Sequence, residues 1–245
     1  MDKKIFVSIL VATKNRHKFL ENILRNFNRQ DYPNELMELI IGDDGECKME
    51  NDIPKDKTNI KYLKLDNVSL GEKRNKLCEN SKGDIIIFMD DDDFYPNDKV
   101  STYVDLMTKS DYLLAGSSIM HVYFTKLKLI YRFGPYGKNH CTCGTLACKK
   151  EYINNNKFPD LPKAEEKIFL NSYKNNMLQI DSKKAILVIA HSNNTVDKYK
   201  FIKYGKLTKL KLEDFNLTEE DKKFYLSLDW ENNIVFLFLI SFYLF

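Results

Sequence analysis

Four aspartates in a row, Asp90-Asp91-Asp92-Asp93, stand directly behind the apolar run Ile85-Ile86-Ile87-Phe88-Met89. The run is short, rich in β-branched residues and bounded by Gly83 and Pro96, the pattern of a fully buried strand. The carboxylates therefore emerge at the end of a buried strand and not along a solvated tail. Two carboxylates about 4 Å apart repel by roughly 4 kcal/mol at an effective dielectric near ~20. Crowding several of them requires protonation or a cation. A hard divalent ion with oxygen ligands, Mg²⁺ or Mn²⁺, is the simpler answer.

The rest of the first half alternates strand and helix. Residues 5–11 read as the first strand, and residues 14–29 as a helix with Phe19, Leu20, Ile23, Leu24 and Phe27 on one face. Residues 36–41 form a second strand that ends in Gly42-Asp43-Asp44-Gly45, and a short strand is expected over 60–65. Ser69-Leu70-Gly71-Glu72 has the spacing of a capping box and opens a helix to about residue 80. After the aspartates come a helix over 98–109 and a strand over 112–115. This alternation predicts an α/β/α sandwich with a mostly parallel central sheet. Residues 119–133 read as strands around a turn near Lys126, an antiparallel excursion. Further strands are expected at 144–149 and 185–190, with a loop and helix between them at 161–173.

The chain has 245 residues, a size for one domain plus an appendage. We place that domain over 1–199 and a lysine-rich helical segment with an apolar tail over 200–245. The net charge of +3 has mixed signs, so nothing calls for nucleic acid as a partner. Five cysteines, an odd number, are expected to stay reduced in a cytosol-like compartment. His140, Cys141, Cys143 and Cys148 invite a zinc reading but lack paired CxxC spacing, and small thiols filling a core serve as well. The first strand begins too early for a signal peptide to precede it. Residues 234–245 are almost wholly apolar but too few to span a bilayer as a helix. They suit core packing or peripheral membrane contact, which leaves the protein cytoplasmic or membrane-associated.

Three polar clusters follow three strands: Thr13 to Arg16, Asp43 with Asp44, and the four aspartates. In an open α/β sheet ligands bind outside the carboxyl ends of strands, so these clusters should meet at one edge. Neither GxGxxG nor GxxxxGK[ST] is present, so neither a dinucleotide fingerprint nor a P-loop explains the site.

The ordered set VSILVATKNR (7–16), IGDDG (41–45), GEKRN (71–75) and GDIIIFMDDDD (83–93) resembles the GT-A-fold nucleotide-sugar glycosyltransferases of the family 2 type. The resemblance covers roughly residues 5–195. It implies a Rossmann-like sandwich, a DxD motif and a divalent metal. Thr13, Asn15, Asp43 and Asp44 would line the nucleotide pocket, where a carboxylate can accept a hydrogen bond from a uracil N–H. Arg74 would reach phosphate oxygens or base edges, although a solvated helix face is its plain alternative. Asp90, Asp91, Asp92 and Asp93 hold the DxD pair with the register open by one residue. Asp92 leads as metal ligand, Asp93 is second, and Asp90 would meet ribose or metal-bound water. LPKAEEKIF (161–169) resembles the family's acidic pair, with Glu166 as general base and Glu165 behind it. The plain alternative is an acid-rich first helical turn. His191, in HSNNT (191–195), would complete the metal shell, or else is structural.

The implied reaction moves a sugar from a nucleotide diphosphate sugar, a UDP-sugar first, to an acceptor hydroxyl with inversion. The acceptor is a glycan, protein or lipid. Gly144-Thr145 would border the sugar and residues 133–136 the acceptor. A non-catalytic sugar-nucleotide-binding module and a sugar-1-phosphate nucleotidyltransferase are the alternatives. A haloacid-dehalogenase-type phosphatase would need threonine or valine where Phe94 stands.

Overall fold

The structure is a computed structural model that describes residues 4–46 and 49–229. In chain order its strands are β1 (Val7–Thr13), β2 (Met37–Asp43), β3 (Ile60–Lys64), β4 (Ile85–Met89), β5 (Leu114–Gly116), β6 (Met120–Phe124), β7 (Leu129–Phe133), β8 (Ala147–Lys149), β9 (Leu178–Gln179), β10 (Leu187–Ala190) and β11 (Lys206–Leu207). Its α-helices are α1 (Leu20–Asn28), α2 (Leu70–Glu79), α3 (Lys99–Thr108), α4 (Lys150–Asn155), α5 (Glu165–Phe169), α6 (Ser182–Ala185) and α7 (Glu219–Ser227). A 7-stranded sheet runs β3-β2-β1-β4-β8-β5-β9, and a 4-stranded sheet runs β10-β6-β7-β11.

The larger sheet is parallel through β3, β2, β1 and β4, and β8 enters antiparallel to both its neighbours. Its central strands are apolar at nearly every position because both faces are covered. Val7, Ile9, Val11, Ile85 and Ile87 pack under α1 and α3, through Ile23, Phe27, Val100 and Tyr103. Leu10, Ile40, Ile86 and Phe88 pack on the opposite face with Leu77 of α2, Tyr152 of α4 and Phe169 of α5. This is the expected α/β/α sandwich.

Several boundaries depart from the sequence reading for local reasons. Asn15 has a left-handed φ of 54°, and residues 17–19 form a 3-10 turn, so α1 starts at Leu20 and not near residue 14. The strand expected from 144 begins at Ala147, because Cys143–Thr145 close a 3-10 turn with the Leu146 N–H on the Cys143 carbonyl. Ala185 belongs to α6, and the late strand starts at Leu187. The α2 N-cap forms as expected, with Ser69 Oγ accepting the Glu72 N–H at 3.1 Å, the first half of the capping box.

The antiparallel excursion is real and larger than a hairpin. β6 and β7 pair antiparallel, β10 joins β6 in parallel, and β11 joins β7 antiparallel. The segment beyond 200 is therefore not purely helical: it adds a strand to the second sheet before α7. α7 returns to the front of the molecule, where buried Tyr225 donates to Asn22 Oδ1 at 2.7 Å. Residues 234–245, with Trp230 and Cys47, lie outside the described residues. Cys78, Cys141, Cys143 and Cys148 are buried free thiols within the second core layer.

Candidate active site

β1, β2 and β4 are parallel neighbours, with Thr13 level with Asp43 and Val11 level with Met89. Their carboxyl ends therefore meet at one edge, and all three polar clusters meet with them. The aspartate loop also joins the two sheets. Phe94 bridges Leu187, and Asp93 Oδ1 accepts the Ile189 N–H at 2.8 Å.

The loop's backbone is held from below by amides on one stripe of α1. Asn22 Nδ2 donates to the carbonyls of Asp91 and Asp93 at 2.9 and 3.1 Å, and Asn26 Nδ2 donates to that of Asp93 at 2.9 Å. Gln30, just past the end of α1, donates to the Pro96 carbonyl at 3.0 Å. Positions four apart share a helix face, so a single stripe satisfies the buried carbonyls of a non-helical loop.

The four carboxylates do different work. Asp93 is locked to the second sheet. Asp91 accepts from Thr13 Oγ1 at 2.6 Å and pairs with Arg16 at 3.2 Å. Asp92 is the hub: Arg16, His191 Nε2 at 3.2 Å and Asn194 Nδ2 at 3.0 Å all reach its Oδ2. Asp90 is half-buried and has Arg74 as its nearest cation at 3.9 Å. Burial and the neighbouring Asp92 push the Asp91 carboxyl up to about 7, and push Asp93 well above the usual carboxylate range. Burial acts on Asp92 in the same direction, but the His191 hydrogen bond and the charges of Lys198 and Arg16 outweigh it and hold Asp92 far below that range. Burial lowers the His191 pKa despite Asp92, so the ring is neutral at pH 7. Its Nδ1 accepts the Asn193 N–H at 3.1 Å, which leaves the Nε2 proton facing Asp92.

The β1 and β2 clusters separate in the same way. Asp43 is structural, with Oδ1 on the Gly45 N–H and Oδ2 on the Tyr62 hydroxyl, both at 2.8 Å. Asp44 is paired with Lys14 at 2.9 Å and with buried Lys73, which also donates to the Thr13 carbonyl at 2.6 Å. Burial would raise the Asp44 carboxyl, but the two lysines bring it below the ordinary value. Asn15 Oδ1 accepts the Glu46 N–H at 2.7 Å and ties the first two loops together. A Cβ on Gly45 would stand 2.4 Å from the Asn15 backbone nitrogen, so only glycine fits that turn.

The acidic pair divides too. Glu165 is buried against Arg74, which in turn faces Asp90. Glu166 is only half-buried. Arg74 is thus no solvated helix residue: its guanidinium is buried and lies 5.7 Å from the Phe158 ring centre.

A cavity of about 420 Å³ opens between the two sheets, and all four aspartates line it with Arg16 and Arg74. Phe133 and Tyr136, from the expected acceptor-side loop, also line it. A Cβ on Gly144 would stand 2.6 Å from Asp90 Oδ2, which places that turn directly against Asp90. Sequence reasoning missed Arg16 as the partner of Asp91 and Asp92, and missed Lys198 and Asn194. The available signal for Arg16 was its place three residues beyond Thr13 in a cluster already singled out. Among the described residues, no three side chains of the His, Cys, Asp or Glu kind are gathered to hold a metal by themselves.

The family model described as glycosyl transferase family 2 matches residues 8–162, the stretch that carries all three strand-end clusters. The chain belongs to glycosyltransferase family 2. It is 29% identical over 183 residues to an uncharacterized glycosyltransferase of Haemophilus influenzae, covering 69% of this chain and 72% of that one. It spans about a third or less of the other curated relatives it matches. In fold it is similar to residues 1–349 of Staphylococcus aureus TarS in complex with UDP-GlcNAc, at TM-score 0.62 and 17% identity over 91% of this chain and 71% of that one. It is also similar to the mannosyltransferase PcManGT of Pyrobaculum calidifontis in complex with GDP-Man and Mn²⁺, at TM-score 0.63 and 14% identity over 84% and 67% of the two chains. The sandwich is accordingly of the GT-A type. No helix among the described residues is long and apolar enough to cross a membrane.

Proposed function

We propose that this family 2 chain transfers a glycosyl group from a UDP-sugar to an acceptor hydroxyl, with inversion at the anomeric carbon. The observation that carries the reading is the meeting of Arg16 from the β1 end with all four aspartates from the β4 end on one cavity, with Asp92 as the hub that Arg16 and His191 both reach. TarS with UDP-GlcNAc and PcManGT with GDP-Man support a nucleotide-sugar donor.

The residues suit a divalent ion that is shared with the donor. Asp90 and Asp92 offer carboxylate oxygens to the same cavity, and Mg²⁺ typically takes one or two protein carboxylates and completes its shell with substrate phosphates and water. Asp93 is a poor ligand because its carboxylate holds β10. His191 adds a nitrogen only if its Nε2 proton leaves the Asp92 contact, a demand that Mn²⁺ suits better than Mg²⁺. When bound, the ion supplies Lewis-acid stabilisation of the departing diphosphate.

The chain's own groups do the rest. Asp44, buried and fixed by Lys14 and Lys73, would help shape the base side of the site from the β2 end. Arg16 and Arg74 bring positive charge to the diphosphate side. Glu165 holds Arg74 in place. Glu166 takes the acceptor proton as the hydroxyl oxygen attacks the anomeric carbon from the face opposite the diphosphate. The bonding pair of the sugar–phosphate bond leaves with UDP. Incubation with UDP-sugars and Mn²⁺, with and without EDTA, tests the proposal. UDP release that EDTA abolishes is the expected result, and tight nucleotide binding without turnover would reduce the chain to a binding module.

A further inference from the structure

The apolar face of the second sheet does not end inside the cavity. Val188, Val122, Tyr131 and Leu207 form one row across β10, β6, β7 and β11. Opposed residues share a face, so the row is continuous. Val188 and Val122 line the cavity, Tyr131 is half-buried, and Leu207 is 58% exposed. The next row continues from Phe124 in the cavity to exposed Leu129. The 3-10 segment Lys198–Tyr204 adds exposed Phe201 at the cavity mouth and Tyr204, which is 69% exposed.

Lysines flank this apolar rim. Residues 196–211 hold six lysines against one aspartate, in a chain whose formal net charge is only +3. Lys200, Lys203, Lys206 and Lys209 are exposed. Lys200 lies 3.9 Å from Asp197, while Lys203, Lys206 and Lys209 have no ion pair among the described residues. The nearby acids are engaged elsewhere: Glu213 pairs with Lys222 at 3.2 Å, and Asp214 accepts the Lys211 N–H at 2.8 Å. Lysine on an edge strand guards against unwanted pairing, which accounts for Lys206. It does not account for exposed Tyr204 and Leu207 beside it.

We infer that the rim formed by Tyr204, Leu207, Leu129 and the lysines at 200, 203, 206 and 209 seats on an anionic phospholipid surface, with the cavity mouth turned toward the lipid. Aromatic and aliphatic side chains enter the headgroup boundary while lysines meet anionic headgroups. The area is small and uses no deep insertion, so binding is reversible and depends on salt. None of the rim residues belongs to 234–245. Failure of this surface to bind is separable from failure of the transferase reading, because vesicle binding requires no turnover.

The test is co-sedimentation of the full chain with phosphatidylcholine vesicles containing about one third phosphatidylglycerol, against pure phosphatidylcholine. The full chain should pellet with the anionic vesicles, weaken in high salt and stay in solution with the neutral ones. K200E/K203E/K209E should lower partitioning by about a hundredfold or more. Y204S/L207S, which changes no charge, should lower it by about tenfold. Both variants should keep the wild-type far-ultraviolet circular dichroism and a cooperative thermal transition, which shows that they fold. A wild-type chain that ignores anionic vesicles overturns the inference. So do equal binding to neutral vesicles and folded variants that bind as well as wild type.

Discussion

The cavity has two unlike walls. The first sheet builds an ionic wall from strand ends, where Asp90, Asp91 and Asp92 are balanced by Arg16 and Arg74. The second sheet builds an apolar wall from one strand face, with Met120, Val122, Phe133 and Val188. Loops leaving strand ends carry the chemistry, and a pleated face supplies shape. The two walls are also held differently. The ionic wall is over-determined by the amide stripe of α1 and by Tyr225, whereas the apolar wall opens at its outer edge onto exposed Leu207 and Leu129.

The sharpest way to break the ionic wall is Asp92→Asn, which removes the charge that Arg16, His191 and Asn194 all address. Turnover of a UDP-sugar should fall by about a thousandfold, comparable to losing a preorganised electrostatic group. Metal-dependent nucleotide binding should weaken in a calorimetric titration, and unchanged values would mean that the hub is not the metal-side carboxylate.

Glu165→Gln and Glu166→Gln should behave as opposites. The first leaves buried Arg74 without its nearest anion, with Asp90 at 3.9 Å as the remaining partner, and should cost about 3 kcal/mol in urea unfolding. The second should leave stability and donor affinity near wild type and lower turnover by about a hundredfold. Reversal of the two outcomes would exchange their roles.

Lys99 sits where the walls approach each other. It is fully buried between the rings of Tyr95 and Tyr103, at 4.7 and 4.8 Å, and donates to the carbonyls of Gly144 at 3.1 Å and Ala185 at 2.9 Å. Burial brings its pKa down from 10.5 to about 7. Between those values the unfolded chain carries a proton that the folded chain lacks, so this residue makes stability rise with pH across that window. Lys99→Met should flatten the rise, by about 1.4 kcal/mol per pH unit at most, in unfolding free energies from urea titrations taken across it. An unchanged slope would mean that Lys99 stays charged in the fold.

The smallest effect belongs to the tie between α7 and the aspartate loop. Tyr225→Phe removes the hydroxyl that reaches Asn22 Oδ1 at 2.7 Å and the Asp93 carbonyl at 3.1 Å. It should cost about 1 kcal/mol. A loss in turnover well beyond that would show that the loop's placement depends on α7.

The ionic wall was legible early because its signals are local. A buried strand followed by acids, repeated over neighbouring strands, places those acids at one sheet edge before any coordinates are known. What local sequence could not reveal is which carboxylate is free. Asp43 and Asp44 are adjacent, yet one holds a turn and the other faces two lysines. Glu165 and Glu166 are adjacent, yet one is sealed against an arginine 91 positions away in the chain. Arg16 was missed because its partners lie 75 and 76 residues on.

The amino-acid sequence by itself determined the sandwich, the edge where the polar clusters gather and the family to which the chain belongs. These follow from hydrophobic periodicity and from residues adjacent in sequence, which no packing detail can overrule. Only the tertiary structure decided the division of labour among neighbouring acids and the apolar wall that closes the cavity. Both depend on which distant side chains arrive at a given carboxylate or strand face, and that choice is made by packing and desolvation across the whole domain.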